Sequence, residues 1–182
     1  MKLIIISDIH GDADSTNAII AIFNEEKADK IVILGDILYH GPRNDLPKGY
    51  NPKEVIRILN EYKDKIIAVR GNCDAEVDQM VLNFPIMDKN RYIQLDNNIR
   101  LFLTHGHHYN EQTPPKLSAG EIIVHGHTHI PKRTKFGNDN YCLNPGSISI
   151  PKNGYESSYM IYENRTFTIK DFSGNTMFNL NL

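Results

Sequence analysis

The sequence predicts an α/β fold built around two β-sheets, and three observations carry that prediction. Leu3–Ile6, Ile31–Leu34 and Ile66–Val69 are short, continuously apolar and rich in β-branched residues, as strands covered on both faces should be. Helical periodicity fills the gaps between them, which gives a β-α-β-α-β pattern and a parallel sheet. Beyond Tyr92 the chain changes to closely spaced strand-like runs, a count that two packed sheets would accommodate.

In the first helix Ala18, Ile19, Ile22 and Phe23 follow the polar starter Asp14-Ser15. In the second, Val55, Ile58, Leu59 and Tyr62 share a face. Asn51 fits the N-cap, Pro52 the first helical position, and Glu54 a capping box. Tyr92–Leu95 and Ile99–Thr104 flank Asp96-Asn97-Asn98 and read as a hairpin. Ile122–His125, Tyr141–Leu143, Tyr159–Tyr162 and Thr166–Asp171 add further strands, the last two joined at Glu163-Asn164-Arg165. Two sheets packed face to face with helices outside satisfy this count. No second core, repeat or low-complexity linker interrupts the chain, so residues 1–182 are expected to form one domain. Tyr39–Asn51 and Tyr109–Ala119 are long irregular stretches rich in Pro, Gly and polar residues, and such loops are more often functional than idle.

Composition narrows the partners. A net charge of −2 argues against a protein that grips nucleic acid through its phosphates, so a polymer substrate is disfavoured. Cys73 and Cys142 form no C-x-x-C pair, which favours a reducing compartment. The Leu3–Ile6 run is too short for a signal peptide or membrane span, so a cytoplasmic protein with no membrane partner is expected.

Seven residues carry the chemistry: Asp8, His10, Asp36, Asn72, His105, His127 and His129. Each sits in or just after an apolar run, and each is a good ligand for a divalent metal. Taken singly, the pieces have plain explanations. Asp8-x-His10 could cap a strand end, although an extended backbone there would send both side chains to one metal. Gly71-Asn72 could be an ordinary turn. The histidines shift the balance, because six of eight fall in two segments, 105–108 and 125–129, each after a strongly apolar strand. Strand ends that deliver carboxylate, amide and imidazole to one sheet edge can build a two-metal centre, a device for hydrolysing phosphate esters.

The ordered pattern Asp8-x-His10, Gly35-Asp36, Gly71-Asn72, His105 and Gly126-His127-Thr128-His129 resembles the calcineurin-like metallophosphoesterases over essentially the whole chain. The stretches Gly35–Asn44, Arg70–Asp74 and Asn144-Pro145-Gly146-Ser147 look like the small bacterial YfcE-type phosphodiesterases within that superfamily. The resemblance implies a four-layer α/β/β/α sandwich of two mixed β-sheets flanked by helices, with metals at the strand ends. It implies that Asp8, His10, Asp36 and His129 hold one ion and that Asp36, Asn72, His105 and His127 hold the other. Manganese is the expected ion, and the mixed N/O set also suits Fe, Zn or Ni. The expected reaction is hydrolysis of a small phosphodiester by a metal-bound hydroxide, with the ions roughly 3.5–4 Å apart. Where many members carry a histidine after Gly-Asn, this chain has Cys73, a small filler rather than a nucleophile.

The supporting residues follow. Asp74 either orients a neighbouring ligand or caps the short helix that Ala75–Leu82 suggests. Arg43 is the candidate for pairing with the substrate phosphate, and His107 the candidate proton donor. His40, His108 and His125 are assigned to supporting or surface positions. Asn144-Pro145-Gly146-Ser147 is a turn, set near the site by the resemblance alone. A phosphomonoesterase using the same residues and a non-catalytic scaffold of the retromer-subunit type are the rival readings. A homo-oligomer is compatible with the exposed edge strands.

Overall fold

The computed structural model describes residues 1–95 and 99–182. The first half forms β1 (Leu3–Ile6), α1 (Ala13–Glu25), β2 (Lys30–Ile33), α2 (Pro52–Glu61), β3 (Ile66–Ala68) and the short α3 (Glu76–Gln79). The second half forms β4 (Asn90–Gln94), β5 (Arg100–Thr104), β6 (Ile122–Val124), β7 (Lys132–Phe136), β8 (Asn140–Asn144), β9 (Ser158–Glu163), β10 (Thr166–Asp171) and β11 (Thr176–Asn181). One sheet runs β11-β10-β9-β1-β2-β3 and the other β4-β5-β6-β8-β7. Both are mixed. In the first, β1, β2 and β3 pair in parallel while β9, β10 and β11 are antiparallel additions. In the second, β5, β6 and β8 are parallel and the two edge strands antiparallel.

Alternation along the strands explains the layers. Ile4, Ile6, Ile31 and Ile33 face Ile19, Phe23, Val55 and Leu59 of the two helices. Their neighbours Leu3, Ile5, Val32 and Leu34 face the other way, onto Leu101, Leu103, Ile122, Val124 and Leu143 of the second sheet. The continuously apolar β1 and β2 are thus required by a sheet with a helical layer on one side and a sheet on the other. On the far side of the second sheet, Phe102, Ile123 and Cys142 are covered by Leu117 and Phe136.

Both helix starts follow from their capping residues. Asp12 accepts the Ser15 amide at 2.8 Å, so α1 begins at Ala13, just ahead of the Asp14-Ser15 pair. Asn51 caps α2 as expected, with Pro52 in its first turn. Glu54 does not complete a capping box, because its carboxylate pairs with Arg57 three residues on. β4 and β5 form the expected antiparallel pair, while Asp96-Asn97-Asn98 lies outside the described residues. Two edge strands, β7 and β11, are additions to the sequence expectation.

Candidate metal centre

All seven candidate ligands converge where the C-terminal ends of β1, β2, β3, β5 and β6 meet. The loops after β1 and β2 are laced by backbone hydrogen bonds from Asp8 N to Gly35 O (3.2 Å) and from His10 N to Asp36 O (2.9 Å). The loops after β2 and β3 cross so closely that a Cβ on Gly71 would strike the Asp36 backbone, and one on Gly126 would strike Ser7 and Asp8. Glycine is needed at both crossings.

The route by which Asp8 and His10 meet differs from the expected extended one. Asp8 has φ 56° and His10 φ 48°, so two left-handed residues, not a strand, turn their side chains together. Asp36 (57°), His127 (67°) and His129 (60°) share this conformation. Non-glycine residues pay about 1–3 kcal/mol each for such backbone, and clusters of them mark functional sites.

Donor atoms fall into two overlapping groups. His10 Nε2 lies 3.3 Å from His129 Nε2, 3.7 Å from Asp8 Oδ1 and 3.8 Å from Asp36 Oδ2. His105 Nε2 lies 3.3 Å from Asp36 Oδ2, 3.0 Å from Asn72 Oδ1 and 3.3 Å from His127 Nδ1. Asp36 Oδ2 belongs to both. Three imidazoles are oriented from behind: Nδ1 of His10, His105 and His129 meets the carbonyls of Tyr39 (2.8 Å), Leu34 (2.7 Å) and Ile150 (2.6 Å). Those carbonyls accept the Nδ1 hydrogen, which leaves each Nε2 lone pair pointing inward, as for a metal-bound histidine.

The arrangement fits divalent cations on the structure's own terms. Asp8 and Asp36 are 0% and 2% exposed, and Asp8 Oδ1 is buried with no hydrogen-bond partner. Buried carboxylates and inward lone pairs at these separations repel unless positive charge lies among them. Protons partly meet that need when metal is absent. Burial pushes Asp8 and Asp36 up, but the surrounding histidines outweigh it and hold both below the usual carboxylate range. Burial pushes His105 down, yet Asp36 and Asp8 raise it to about 9, and His10 is raised in the same way.

The supporting groups resolve as follows. Asp74 does not cap α3, whose N-cap is Ala75; its carboxylate accepts the amides of Asp36 (2.9 Å), Ile37 (2.8 Å) and Gly71 (2.7 Å). α3 itself is shorter than Ala75–Leu82 suggests. The Cys73 thiol is pushed up to about 12 by burial and by Asp36, so it stays protonated at neutral pH. In the Asn144-Pro145-Gly146-Ser147 turn, Ser147 Oγ donates to the Asp8 carbonyl at 2.8 Å, and Ser149 Oγ joins it at 2.9 Å. This turn braces the left-handed Asp8 backbone.

Two hollows share Asn72 in their linings. One, of roughly 360 Å³, is bordered by Arg43, Asn44, Thr128 and Lys152. The other is bordered by Arg70, Lys89, His107 and His108. Arg43 and His107 therefore border different hollows, which share Asn72. Burial and the neighbouring His105, His108 and His127 hold His107 down to about 4, so it is neutral at pH 7. Lys152 and Lys89 were not singled out in the sequence, since lone surface lysines carry no motif. Nearness to Asn144–Ser147 is the one clue that points to Lys152.

A buried carboxylate–imidazole cluster at the joined edges of two mixed sheets is a donor set suited to divalent cations. The calcineurin-like phosphoesterase superfamily domain matches residues 1–166, and the chain belongs to that superfamily. It is an enzyme of the class that hydrolyses phosphoester bonds. It is 47% identical over 169 residues to phosphodiesterase YfcE of Escherichia coli K12, covering 93% of this chain and 91% of the relative. A solved structure of YfcE, described as a phosphoesterase from E. coli, superposes with a TM-score of 0.96 at 44% identity, over 99% of this chain and 98% of that one. Vps29 of Entamoeba histolytica shares the fold, with a TM-score of 0.62 at 19% identity over 100% and 99% of the two chains. Among the described residues no helix is long and apolar enough to cross a membrane.

Proposed function

We propose that this chain is a metal-dependent phosphodiesterase acting on small phosphate diesters through a dinuclear centre, within a single domain spanning residues 1–182. Asp8, His10, Asp36 and His129 would hold one divalent ion, and Asp36, Asn72, His105 and His127 the other. The carrying observation is the pair of donor groups sharing Asp36 Oδ2, with the orphaned Asp8 Oδ1 among them. Manganese is the proposed ion, with Fe, Zn or Ni compatible with the same donors. Bound divalent ions supply an acidified water as nucleophile and positive charge for the phosphoryl oxygens.

The chain's own residues do the rest. Carbonyls of Tyr39, Leu34 and Ile150 keep three Nε2 lone pairs free, and Asp74 holds the Asp36 backbone in place. Arg43 and Lys152 face one side of the reacting phosphorus and pair with its anionic oxygens. In the second hollow His107, expected from the sequence to donate a proton, is neutral at pH 7 and offers a hydrogen bond to the departing oxygen instead, while Arg70 and Lys89 receive polar groups of that arm. Two hollows that share Asn72 suit the two ester arms of a diester, and the relative named a phosphodiesterase supports the same choice. The cationic groups beside Asn72 keep a phosphomonoesterase as the second reading.

The test is hydrolysis of a chromogenic diester and its matching monoester by metal-stripped protein reloaded with Mn²⁺, with His127→Ala as control. Diester turnover that requires metal and vanishes in the variant supports the proposal. Preference for the monoester replaces it with the second reading. Cleavage of neither ester by metal-loaded protein returns the question to a scaffold.

A further inference from the structure

A second cluster of donors lies on the outer face of the second sheet, sharing no atom with the centre above. Cys142 from β8 and His125, which follows β6, reach outward beneath the segment joining β5 to β6. Glu111 from that segment closes on both. Its Oε2 lies 3.4 Å from His125 Nε2 and 3.4 Å from Cys142 Sγ, and the three donor atoms are all within 4.8 Å of one another. His125 is 2% exposed and Cys142 fully buried.

The imidazole has an orientation that needs explaining. His125 Nδ1 meets the Gly126 carbonyl at 2.9 Å, and since that oxygen only accepts, Nδ1 carries the hydrogen. In the neutral ring Nε2 is the lone-pair nitrogen; it is buried, makes no hydrogen bond of good geometry, and lies beside the Glu111 carboxylate and the Cys142 sulfur. Without metal the Cys142 thiol donates to Glu111 Oε2, and a divalent cation could take the place of that proton among the three donors. Their spacing suits one. A tetrahedral zinc ion with bonds of about 2.0 Å to N and O and about 2.3 Å to S sets N and O about 3.3 Å apart, and O and S about 3.5 Å apart. Lys132 Nζ pairs with the other Glu111 oxygen, which turns Oε2 toward the cluster and leaves it a one-oxygen ligand.

We infer that Glu111, His125 and Cys142 form a separate metal site for a borderline-soft divalent cation, Zn²⁺ above all. Thiolate and imidazole together select zinc over magnesium or calcium. Binding forms a metal–sulfur bond and releases the Cys142 thiol proton to solvent, with water completing the four ligands. The role is structural. The cation ties the Tyr109–Ala119 loop to the second sheet, and it anchors the strand end that continues into Gly126 and His127. The inference stands whether or not the phosphodiesterase reading holds.

Cobalt is the probe, because a thiolate bound to Co²⁺ gives a sulfur-to-metal charge-transfer absorption that imidazole and carboxylate ligands do not. In Cys73→Ala protein, Cys142 is the sole cysteine, so the band reports this site alone. Titration with Co²⁺ should produce a charge-transfer band that saturates at one equivalent per chain for this site. Glu111→Gln in the same background, a change at a partly exposed side chain, should raise the cobalt concentration needed for half the band at least tenfold. Absence of the band when bound cobalt has saturated overturns the inference and leaves a charge-paired cluster only. A band indifferent to Glu111→Gln overturns the three-ligand assignment.

Discussion

The Asp74 carboxylate accepts the Asp36 amide at 2.9 Å, and it is this bond that fixes the shared ligand of the candidate centre. Asp74 also accepts from Ile37 and Gly71, so three N–H groups point at one carboxylate. An asparagine there would turn an N–H₂ toward at least one of those donors. Asp74→Asn should therefore cost about 1.5–3 kcal/mol of stability, the scale of a hydrogen bond to a charged group. Metal affinity should fall about 10–100-fold, as for other groups that orient ligands. Denaturant unfolding and a metal titration measure the two effects. Unchanged metal affinity in the folded variant would refute the positioning role.

Protonation of the metal-free centre predicts a pH dependence. His105 has a folded pKa of about 9 against an ordinary 6.5, because Asp36 and Asp8 outweigh its burial. A raised pKa stabilises fully below about 6.5, and that contribution is lost as pH rises through 9. The Tm of chelator-treated protein should fall across this window. Metal needs the same nitrogen unprotonated, so metal binding should tighten over the same range and expel protons. Calorimetric titrations in buffers of differing ionisation heat count those protons. A flat Tm with no buffer dependence would remove the linkage.

Backbone strain at the candidate ligands predicts a separation of stability from activity. His127 holds φ 67° with its side chain half-buried. Glycine adopts that conformation without the penalty of about 1–2 kcal/mol that a Cβ meets. His127→Gly should leave metal-free protein as stable as the parent or up to about 1 kcal/mol more stable, while metal-dependent turnover disappears. Paired thermal melts and assays decide it. A variant that is markedly destabilised would mean that His127 packing outweighs the strain.

The sequence made the site more legible than the edges of the fold. The central strands announce themselves because burial on both faces leaves Leu3–Ile6 and Ile31–Leu34 continuously apolar. β7 reads Lys-Arg-Thr-Lys-Phe and β11 Thr-Met-Phe-Asn-Leu-Asn, and as edge strands they carry polar residues that hide the pattern. The convergence of the candidate ligands was legible because each member follows a strand, whereas its local geometry was not. Nothing in Asp8-Ile9-His10 foretells two left-handed residues, which are imposed by the crossing loops. The basic residues around the site come from segments remote in sequence, and Lys152 joins Arg43 only through the fold.

That last pair carries the prediction most specific to substrate recognition. Arg43 and Lys152 are both exposed and border the same hollow beside His10, Asp36 and Asn72. Neither lies among the candidate metal donors, so removing either should spare metal content. A charged hydrogen bond to phosphate contributes about 1.5–3 kcal/mol, so Arg43→Ala should lower kcat/KM about 10–100-fold. If the guanidinium binds the ground state, the loss falls on KM; if it meets charge that develops during reaction, it falls on kcat. Lys152→Ala should cost less, since an ammonium cannot offer the two-pronged match of a guanidinium. The double variant should lose less than the sum of the two if both groups address one oxygen, because residues that share a partner are coupled. Assay of all four proteins with one diester, at equal metal content, measures the coupling. Strict additivity would assign the two cations to different parts of the substrate, Arg43 to the phosphate and Lys152 to an ester arm.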